Sequence, residues 1–461
     1  MTTTATETPL QTAERALALA AAADDVQVTV VRERSLMSRF ARSAPTQATE
    51  VTDTTVEILV LRDGHTAMAT TNRLGDDELR ATARRADAAA RAAARSGSGA
   101  YPGLAAPAPA PPHDGFDHAT AQLDPASAGA ALRATFAVAA ARGLEAFGAW
   151  TAGAVRTAIA SSAGALLEEE VTDGFMKVVC RDATGRSGYA SATAADAGQI
   201  DAAAVAARAA SKVRRAPLAE LGPGSYPVVL EPEAVGVLLD FLGELAFNGL
   251  AHVEGRGALS DRLGTPVAAP VIDLADAPLC AGTLPRGFDF EGVAKQALTL
   301  IADGVAQAVV HDRSSAALAG GDTRSTGHAI APGGSPFGPF PTNLVLRGGA
   351  AADADDLCAP IERGIYVTRL WYVNPVREKE TLLTGMTREG TFLIEDGRIG
   401  RPLRDVRFTD SVLRLLEATE ALTADRRLVS EGEFYGRRFA HGVLCPALRA
   451  DGLRVTGATT S

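Results

Sequence analysis

Apolar and polar residues alternate along the start of the chain as they do in half-buried strands. Residues 26–34 alternate with a period of two, which predicts a strand. Residues 56–61 and 65–71 continue this pattern on either side of an Asp-Gly pair, a dipeptide typical of a tight β-hairpin turn. Residues 76–96 begin with carboxylates and end with arginines, an order that the helix dipole favours. We therefore expect a sheet with this helix packed on it.

The middle of the chain combines helical patterns with a strand-rich segment. Residues 125–142 and 198–213 are helical in pattern, and three short apolar runs between residues 155 and 181 predict a meander of strands. Residues 97–117 are rich in Gly and Pro, which predicts an extended loop. These elements complete an N-terminal α/β domain in which helices pack on a sheet.

A Gly-Pro-Gly sequence within residues 221–227 interrupts regular structure and is the predicted domain boundary. Residues 1–221 would form the N-terminal domain and residues 222–461 the C-terminal domain. After the boundary the pattern changes to a helical period, with an apolar stripe formed by Val235, Leu238, Leu239, Leu242 and Leu245. From residue 264 onward, short apolar runs alternate with Gly and Pro turns. The C-terminal domain is therefore predicted to be mostly antiparallel and barrel-like, and the fold class to be α+β.

The composition is that of a globular protein with an acidic surface. The 461 residues include 55 acidic and 45 basic side chains, giving a net charge of -10. Such a surface repels nucleic acid and anionic membranes, so neither is expected as a partner. The N-terminal sequence lacks the basic flank of a secretion signal, and no run reaches the roughly 20 apolar residues that span a bilayer. We therefore expect a cytoplasmic protein.

The cysteines Cys180, Cys280, Cys358 and Cys445 stand alone along the chain. They lack the close pairing that is typical of structural zinc sites and small disulfide frameworks, so reduced thiols are expected. Cys445 precedes a proline at the start of the last predicted strand, where a buried small apolar side chain is the usual role. A reactive thiol at Cys445 is the alternative.

Several stretches of the second half resemble the TldD/PmbA family, also called the TldD/TldE metalloprotease family. These stretches are DFEGVAKQALTLIADGV (289–305), STGHA (325–329), ERGIYVTRLW (362–371), LLTGMTREGTFLIEDGRI (382–399) and PALRADGLRVTG (446–457). The N-terminal hairpin and the helix after it are also similar to the first domain of the family. The resemblance therefore extends over nearly the whole chain.

The resemblance implies a pair of subunits that trims peptides, including modified peptide antibiotics. One subunit, TldD, carries a helical HExxxH zinc motif, and the other, TldE or PmbA, lacks it. In this chain the corresponding positions hold Asp240, Phe241 and Leu245. Zinc in a hydrolase needs imidazole or carboxylate ligands and a nearby base, which phenylalanine and leucine cannot supply. The resemblance thus implies a TldE-like subunit with no zinc of its own, a TldD-like partner that holds the zinc, and a peptide substrate.

His252 and Glu254 follow the predicted helix and are two residues apart. On a strand they would share a face, where they could hold a metal ion. The alternative is a loop histidine beside a glutamate that is solvated or paired with Arg256. A third interpretation is substrate binding, because this loop follows the active-site helix of the family.

Two further histidines, His311 and His328, are candidate site residues. His328 lies in the STGHA motif, where a tight turn with a hydrogen-bonded imidazole is favoured over catalysis, and substrate binding is kept as a hypothesis. His311 and Asp312 end a strand-like run and are expected to be exposed. No serine lies in the strand-to-helix context that a nucleophile elbow requires, so no catalytic triad is assigned.

The most recognisable family block also contains arginines and aromatic residues. Arg369 and Arg388 lie between apolar neighbours and could face a groove, where a guanidinium would bind peptide carboxylates or carbonyls. Solvated arginines are the alternative. Trp371, Tyr372 and Phe392 fall in predicted strands and are expected to be core residues.

Three functional hypotheses follow from these observations. The leading hypothesis is a non-catalytic TldE/PmbA-like subunit of a heteromeric zinc peptidase. The second is an autonomous enzyme with metal-independent hydrolytic or transfer chemistry in a biosynthetic pathway, using His252, Glu254 or His328. The third is a protein that binds peptide without chemistry.

Overall fold

The computed structural model describes residues 7–20, 25–97, 101–430 and 436–458. Its fold is α+β, as the sequence predicts. The strands of the first sheet are β1 (Asp25–Ala41), β2 (Ala44–Arg62), β3 (His65–Thr71), β4 (Glu145–Ser161), β5 (Leu166–Arg181) and β6 (Ser187–Ala194). Their order is β3-β2-β1-β4-β5-β6, and all neighbours are antiparallel. The helices of this half are α1 (Pro9–Leu19), α2 (Asp76–Ser96), α3 (His118–Ala121), α4 (Pro125–Ala141) and α5 (Ala202–Ser211).

The period-two pattern assigns the two faces of this sheet to different neighbours. Val28 of β1 points to the face covered by α1 and α2. Val31 of the same strand points to the other face, where it packs with Phe290 and Phe439 from the second half of the chain. The first sheet is therefore buried on both faces, by its own helices and by the C-terminal half.

The predicted hairpin is confirmed, with Asp63 and Gly64 both at positive φ between β2 and β3. Strand lengths differ from the prediction, because the last two runs of the predicted meander are one continuous strand, β5. Asp173, which interrupts the apolar pattern there, is buried and binds the guanidinium of Arg438. A buried ion pair thus replaces the turn that the polar residue predicts.

The second half contains strands and short helices in alternation. Its strands are β7 (Gly224–Leu230), β8 (Leu274–Asp276), β9 (Leu298–Ala302), β10 (Val305–Ala306), β11 (Asn343–Leu346), β12 (Arg363–Arg377), β13 (Leu382–Glu395), β14 (Arg398–Pro402), β15 (Val406–Ser411), β16 (Thr419–Val429) and β17 (Gly442–Ala458). Its helices are α6 (Pro232–Leu245), α7 (Gly249–Val253), α8 (Arg313–Ala319), α9 (Ala354–Cys358) and α10 (Val412–Glu417).

Part of this second sheet closes on itself. Each of the strands β7, β12, β13, β15 and β17 pairs with the next, and β17 also pairs with β7, which completes a closed circuit. Closure removes exposed strand edges, as expected for the barrel-like prediction. The apolar stripe of α6 packs into the core of this half, where Leu239, Leu242 and Leu245 meet Ile365 and Leu448. The barrel therefore fixes the orientation of helix α6.

Candidate functional site

Helix α6 lies beside an open cavity of about 360 Å³. The helix begins with Pro232, whose fixed φ suits the first helical position. Its apolar stripe is buried in the barrel core, so its other side is left to line the cavity through Asp240 and Phe241. Trp371 and Tyr372 of β12 line the opposite wall, and His441 lies next to the start of β17. The cavity wall is mainly apolar.

Asp240, Phe241 and Leu245, the residues that the family resemblance aligns with the zinc motif, have three different environments. The side chain of Asp240 is 41% exposed and faces the cavity, with its Oδ1 atom 3.6 Å from Nε2 of His441. Phe241 is half-buried at the cavity wall, and Leu245 is buried in the core. Among the described residues that line the cavity, the carboxylate and imidazole donors are thus Asp240 and His441. This donor set does not fit a hydrolytic zinc ion, which takes three protein ligands and an open position.

His441 is a site residue that the sequence analysis missed. Its ring is packed against Phe340 and Phe439 at centroid distances of 5.7 and 5.8 Å. Burial lowers the pKa of His441, but the Asp240 carboxylate and the Phe439 carbonyl outweigh this effect and the pKa lies above its usual value. Asp240 and His441 therefore form an ion pair when the imidazole is protonated. They are far apart in sequence, so no local signal could have joined them.

A buried ion pair positions the segment that carries His441. In this segment, residues 436–441, Arg438 is 1% exposed and its fork donates to both carboxylate oxygens of Asp173 at 2.6 Å. The backbone N–H of Arg438 donates to Glu33 in β1. Charge-assisted bidentate hydrogen bonds of this kind are short and directional. The first sheet therefore helps to fix a residue of the cavity beside helix α6.

Trp371 and Tyr372 are exposed, and the expectation that both are core residues is wrong. Trp371 is 40% and Tyr372 is 73% exposed, whereas Phe392 is buried as expected. The pairing of β12 with β13 is irregular between Trp371 and Asn374, and Tyr372 has a φ of 51°. An irregular pair of this kind turns side chains away from the regular alternation. The two aromatic rings are therefore available at the cavity wall.

His252 and Glu254 lie at the end of helix α7 and not on a strand. On a helix, residues two apart point in different directions, so the geometry does not join the pair. Glu254 Oε2 lies 2.6 Å from Nε of Arg256. This is the ion pair that the sequence offers as an alternative to a metal site. Burial lowers the pKa of His252, whose Nδ1 is buried without a hydrogen-bond partner among the described residues. Neither residue lines the cavity beside α6.

His328 belongs to a buried ionic cluster with Asp276 and Lys295. Its Nε2 lies 3.1 Å from Oδ1 of Asp276, and Nζ of Lys295 lies 3.9 Å from the same oxygen. Burial opposes ionisation of Asp276, but Lys295 and His328 outweigh it and lower its pKa to about 2. Nδ1 of His328 bonds to Thr326 after a glycine at positive φ, which matches the predicted turn. The cluster has the contacts of a structural unit.

Arg369 is already held by neighbouring groups. Its guanidinium lies 4.2 Å from the ring centroid of Tyr189 and 4.7 Å from that of Trp371. It also lies 2.8 Å from Glu389, and both charged side chains are 13% exposed. Arg388 is exposed, and its guanidinium lies 5.3 Å from the ring centroid of the same Trp371. Substrate binding by Arg369 stays a prediction, and it would require these contacts to change.

The remaining sequence candidates are structural. His311 and Asp312 are both buried, contrary to the expected exposure, and Asp312 is the N-cap of helix α8. Cys445 is buried and donates to the carbonyl of Pro232, and burial raises the pKa of its thiol. All four cysteines are free. Among the described residues, no group of three or more His, Cys, Asp or Glu side chains could hold a metal ion.

Family models match both parts of the chain. The model of the PmbA/TldA metallopeptidase C-terminal domain matches residues 223–457, and that of PmbA/TldA metallopeptidase domain 1 matches residues 26–90. A metalloprotease of Methanothermobacter thermautotrophicus is 28% identical over 210 residues, covering 44% of each chain. A metalloprotease TldD homolog of Haemophilus influenzae is 28% identical over 245 residues, covering 51% of this chain and 48% of that protein. The matched region thus spans less than half the length of each relative.

The fold is similar to that of a solved protein over almost its whole length. The crystal structure of TldE from Thermococcus kodakarensis matches with a TM-score of 0.85 and 19% identity, covering 97% of this chain and all of that one. At 19% identity, this similarity shows a shared fold and does not show a shared function. None of the helices in the described part of the chain has the length and apolar character needed to span a membrane.

Proposed function

The chain belongs to the PmbA/TldD metallopeptidase family, and on that premise we propose that it is a TldE-like subunit of a heteromeric peptidase. In this proposal a TldD-like partner holds zinc and cleaves the peptide bond. This chain contributes part of the peptide channel. The observation that carries the proposal is helix α6, whose motif positions offer Asp240, Phe241 and Leu245 in place of a complete ligand set.

The cavity beside helix α6 supports a role in holding peptide. Trp371 and Tyr372 offer large exposed rings next to Phe241, and aromatic rings bind apolar side chains at low entropic cost. From Thr368 onward, β12 is paired with β13 but no longer with β7, whose pairing ends at Val367. An extended peptide could therefore lie along this stretch, because strand edges bind peptides through backbone hydrogen bonds.

The test compares the purified chain, a TldD-like partner and their mixture. We expect peptide cleavage in the mixture, no cleavage by this chain alone, and zinc only in the partner, as measured by peptide mass spectrometry and metal analysis. Replacing the glutamate of the partner's HExxxH motif by glutamine should abolish cleavage. Asp240→Asn in this chain should leave the turnover number within about threefold, since Asp240 would not act on the scissile bond. One zinc ion per chain together with strong peptidase activity in the isolated protein would refute the proposal.

A second candidate function is autonomous, metal-independent chemistry in the same cavity. The pairing of Asp240 with His441 favours it, because a carboxylate beside an imidazole can orient a general base. A general base must be unprotonated to accept a proton, and the raised pKa of His441 favours its protonated form, which supports this role less well. Chelator-resistant turnover by the isolated chain, lost in His441→Ala and Asp240→Ala, would establish this function in place of the first.

A further inference from the structure

A second cleft lies between the two sheets. It consists of a compartment of about 740 Å³ and an adjoining one of about 180 Å³. Gly185, Ser187, Glu389 and Asp405 line both compartments, so the two are continuous. The turn between β5 and β6 forms one wall, and strands β13 and β15 form the other. We refer to this space as the interdomain cleft.

The charge of the interdomain cleft is opposite to that of the whole chain. Four cationic side chains line the smaller compartment and three others line the larger one, a total of seven against the two carboxylates of Glu389 and Asp405. The whole chain carries a net charge of -10. A concave surface of one sign concentrates its field and raises the local concentration of oppositely charged ligands.

Some of these cations are neutralised within the protein. Lys212 lies 2.8 Å from Glu231, and Arg404 lies 3.1 Å from Glu220. Arg388 lies 3.6 Å from Glu389. Arg214 donates to two backbone carbonyls and lies over the ring of Phe392. Lys212, Arg404 and Arg388 are thus paired with carboxylates, and two donors of Arg214 are already used within the protein.

The other three cations, Arg181, Arg186 and Arg407, have no carboxylate within salt-bridge distance in the described part of the chain. Nη1 of Arg186 is buried and has no hydrogen-bond partner there either. Leaving a buried charged donor without a partner is unfavourable, and the Arg186 guanidinium, which lines the smaller compartment, would lose that penalty by turning toward an acceptor from a ligand.

The two carboxylates that line the interdomain cleft have other partners in the protein. Glu389 is paired with Arg369 at 2.8 Å, and Oδ1 of Asp405 accepts a hydrogen bond from Thr391 at 2.7 Å. They therefore do not neutralise the three arginines.

The turn that carries Arg186 is rigid. Oδ1 of Asp182 accepts hydrogen bonds from the backbone N–H groups of Thr184 and Arg186 and from the hydroxyl of Thr184. Gly185 has a φ of 90°, a conformation that favours glycine. The backbone of Arg186 is thus held in place before any ligand arrives, which reduces the entropic cost of binding.

From these observations we propose that the interdomain cleft binds an oxyanion, a phosphate or carboxylate group, through Arg181, Arg186 and Arg407. A guanidinium presents a planar fork of donors that matches both groups. The oxyanion would approach Arg186 in the smaller compartment, and the rest of the ligand would lie in the larger one. The proposal does not depend on the proposed peptidase role, because the cleft shares no lining residue with the cavity beside helix α6.

The experiment is a calorimetric titration of the full chain at pH 7.5 and constant ionic strength. The probes are inorganic phosphate, pyrophosphate and a triglutamate peptide, with chloride as the reference anion. We expect saturable binding of at least one oxyanion probe. Preference for pyrophosphate would identify a phosphorylated ligand as the source of the group, and preference for triglutamate would identify an acidic peptide.

Variants assign the binding to the cleft. Arg186→Gln and Arg407→Gln should each weaken binding at least tenfold, and Arg186→Lys should restore only part of it because the fork is lost. Arg407 is exposed, so its substitution should not disturb folding. Arg84→Gln, at an exposed arginine of helix α2, is the matched control and should bind like wild type. Absence of saturable binding, or equal affinity in wild type and both cleft variants, would overturn the proposal.

Discussion

The cavity beside helix α6 and the cluster around His328 contain similar polar residue types but differ in access. In the cavity, Asp240 and His441 face an open and mainly apolar space, with exposed side-chain fractions of 41% and 31%. In the cluster, Asp276, Lys295 and His328 are all buried. The histidine that lies in a family motif is therefore shielded from ligands in this structure, whereas the histidine that the family motif does not contain lies at an open cavity.

The difference shows why residue type alone does not identify a site in this molecule. A histidine beside a carboxylate occurs in both places. In the buried cluster the Asp276 carboxylate lies between Lys295 and His328, and removing it leaves the buried Lys295 ammonium without compensation. At the cavity, Asp240 and His441 are partly solvated, so losing either side chain should cost less stability. Stability measurements and binding measurements should separate the two regions.

The largest expected effect is on the buried cluster. Asp276→Ala removes the carboxylate that Lys295 and His328 share, and should lower the free energy of unfolding by about 3–5 kcal/mol because the buried ammonium of Lys295 loses its counter-ion and the His328 imidazole loses its neighbour. Asp240→Ala is the matched control at the cavity, with an expected loss below about 1 kcal/mol. Urea unfolding followed by circular dichroism measures both. Similar losses for the two variants would remove the distinction between the regions.

A smaller effect on stability, combined with an effect on binding, is expected for the aromatic residues. Phe392→Ala opens a cavity in the core and should cost about 3–4 kcal/mol, whereas Trp371→Ala should cost only about 1 kcal/mol because that ring is partly exposed. In the complex with a TldD-like partner, Trp371→Ala should weaken binding of a fluorescent unstructured peptide about tenfold. Unchanged peptide affinity would argue against a role of this cavity in holding substrate.

The smallest effect is the pH dependence of the pair formed by Asp240 and His441. The pKa of His441 is raised in the folded state, so its contribution to stability is complete below the unfolded pKa of about 6.5 and is lost as pH rises through the folded pKa. Asp240→Asn should bring this pKa down. The difference in unfolding free energy between wild type and variant should shrink from pH 5.5 to pH 8, by less than about 1 kcal/mol.

An NMR titration of His441 in wild type and in Asp240→Asn measures directly whether the pKa of His441 falls in the variant. The comparison between wild type and variant is needed because other groups titrate in the same range, including Asp289 and Asp405, whose pKa values burial raises to about 6. A higher pKa of His441 in Asp240→Asn than in wild type would contradict the assignment of the carboxylate as the cause.

Local patterns predicted much of the fold. The hairpin at Asp63 and Gly64, helix α2 and the buried stripe of α6 each depend on residues close in sequence, so their periodicity was sufficient. The prediction of two strands where β5 is one failed at Asp173. Its partner Arg438 comes from a distant segment, and no local pattern reveals such a pair.

The sequence by itself determined the α+β class, the family and the residues Asp240, Phe241 and Leu245 that helix α6 offers, because each depends on residue identity at neighbouring positions. Only the tertiary structure decided that Trp371 and Tyr372 are exposed, that His328 is buried, and that His441 meets Asp240 at a cavity. The physical reason is that burial and contact depend on which distant segments pack together. The closed barrel and the anchoring of Arg438 in the first sheet determine that packing.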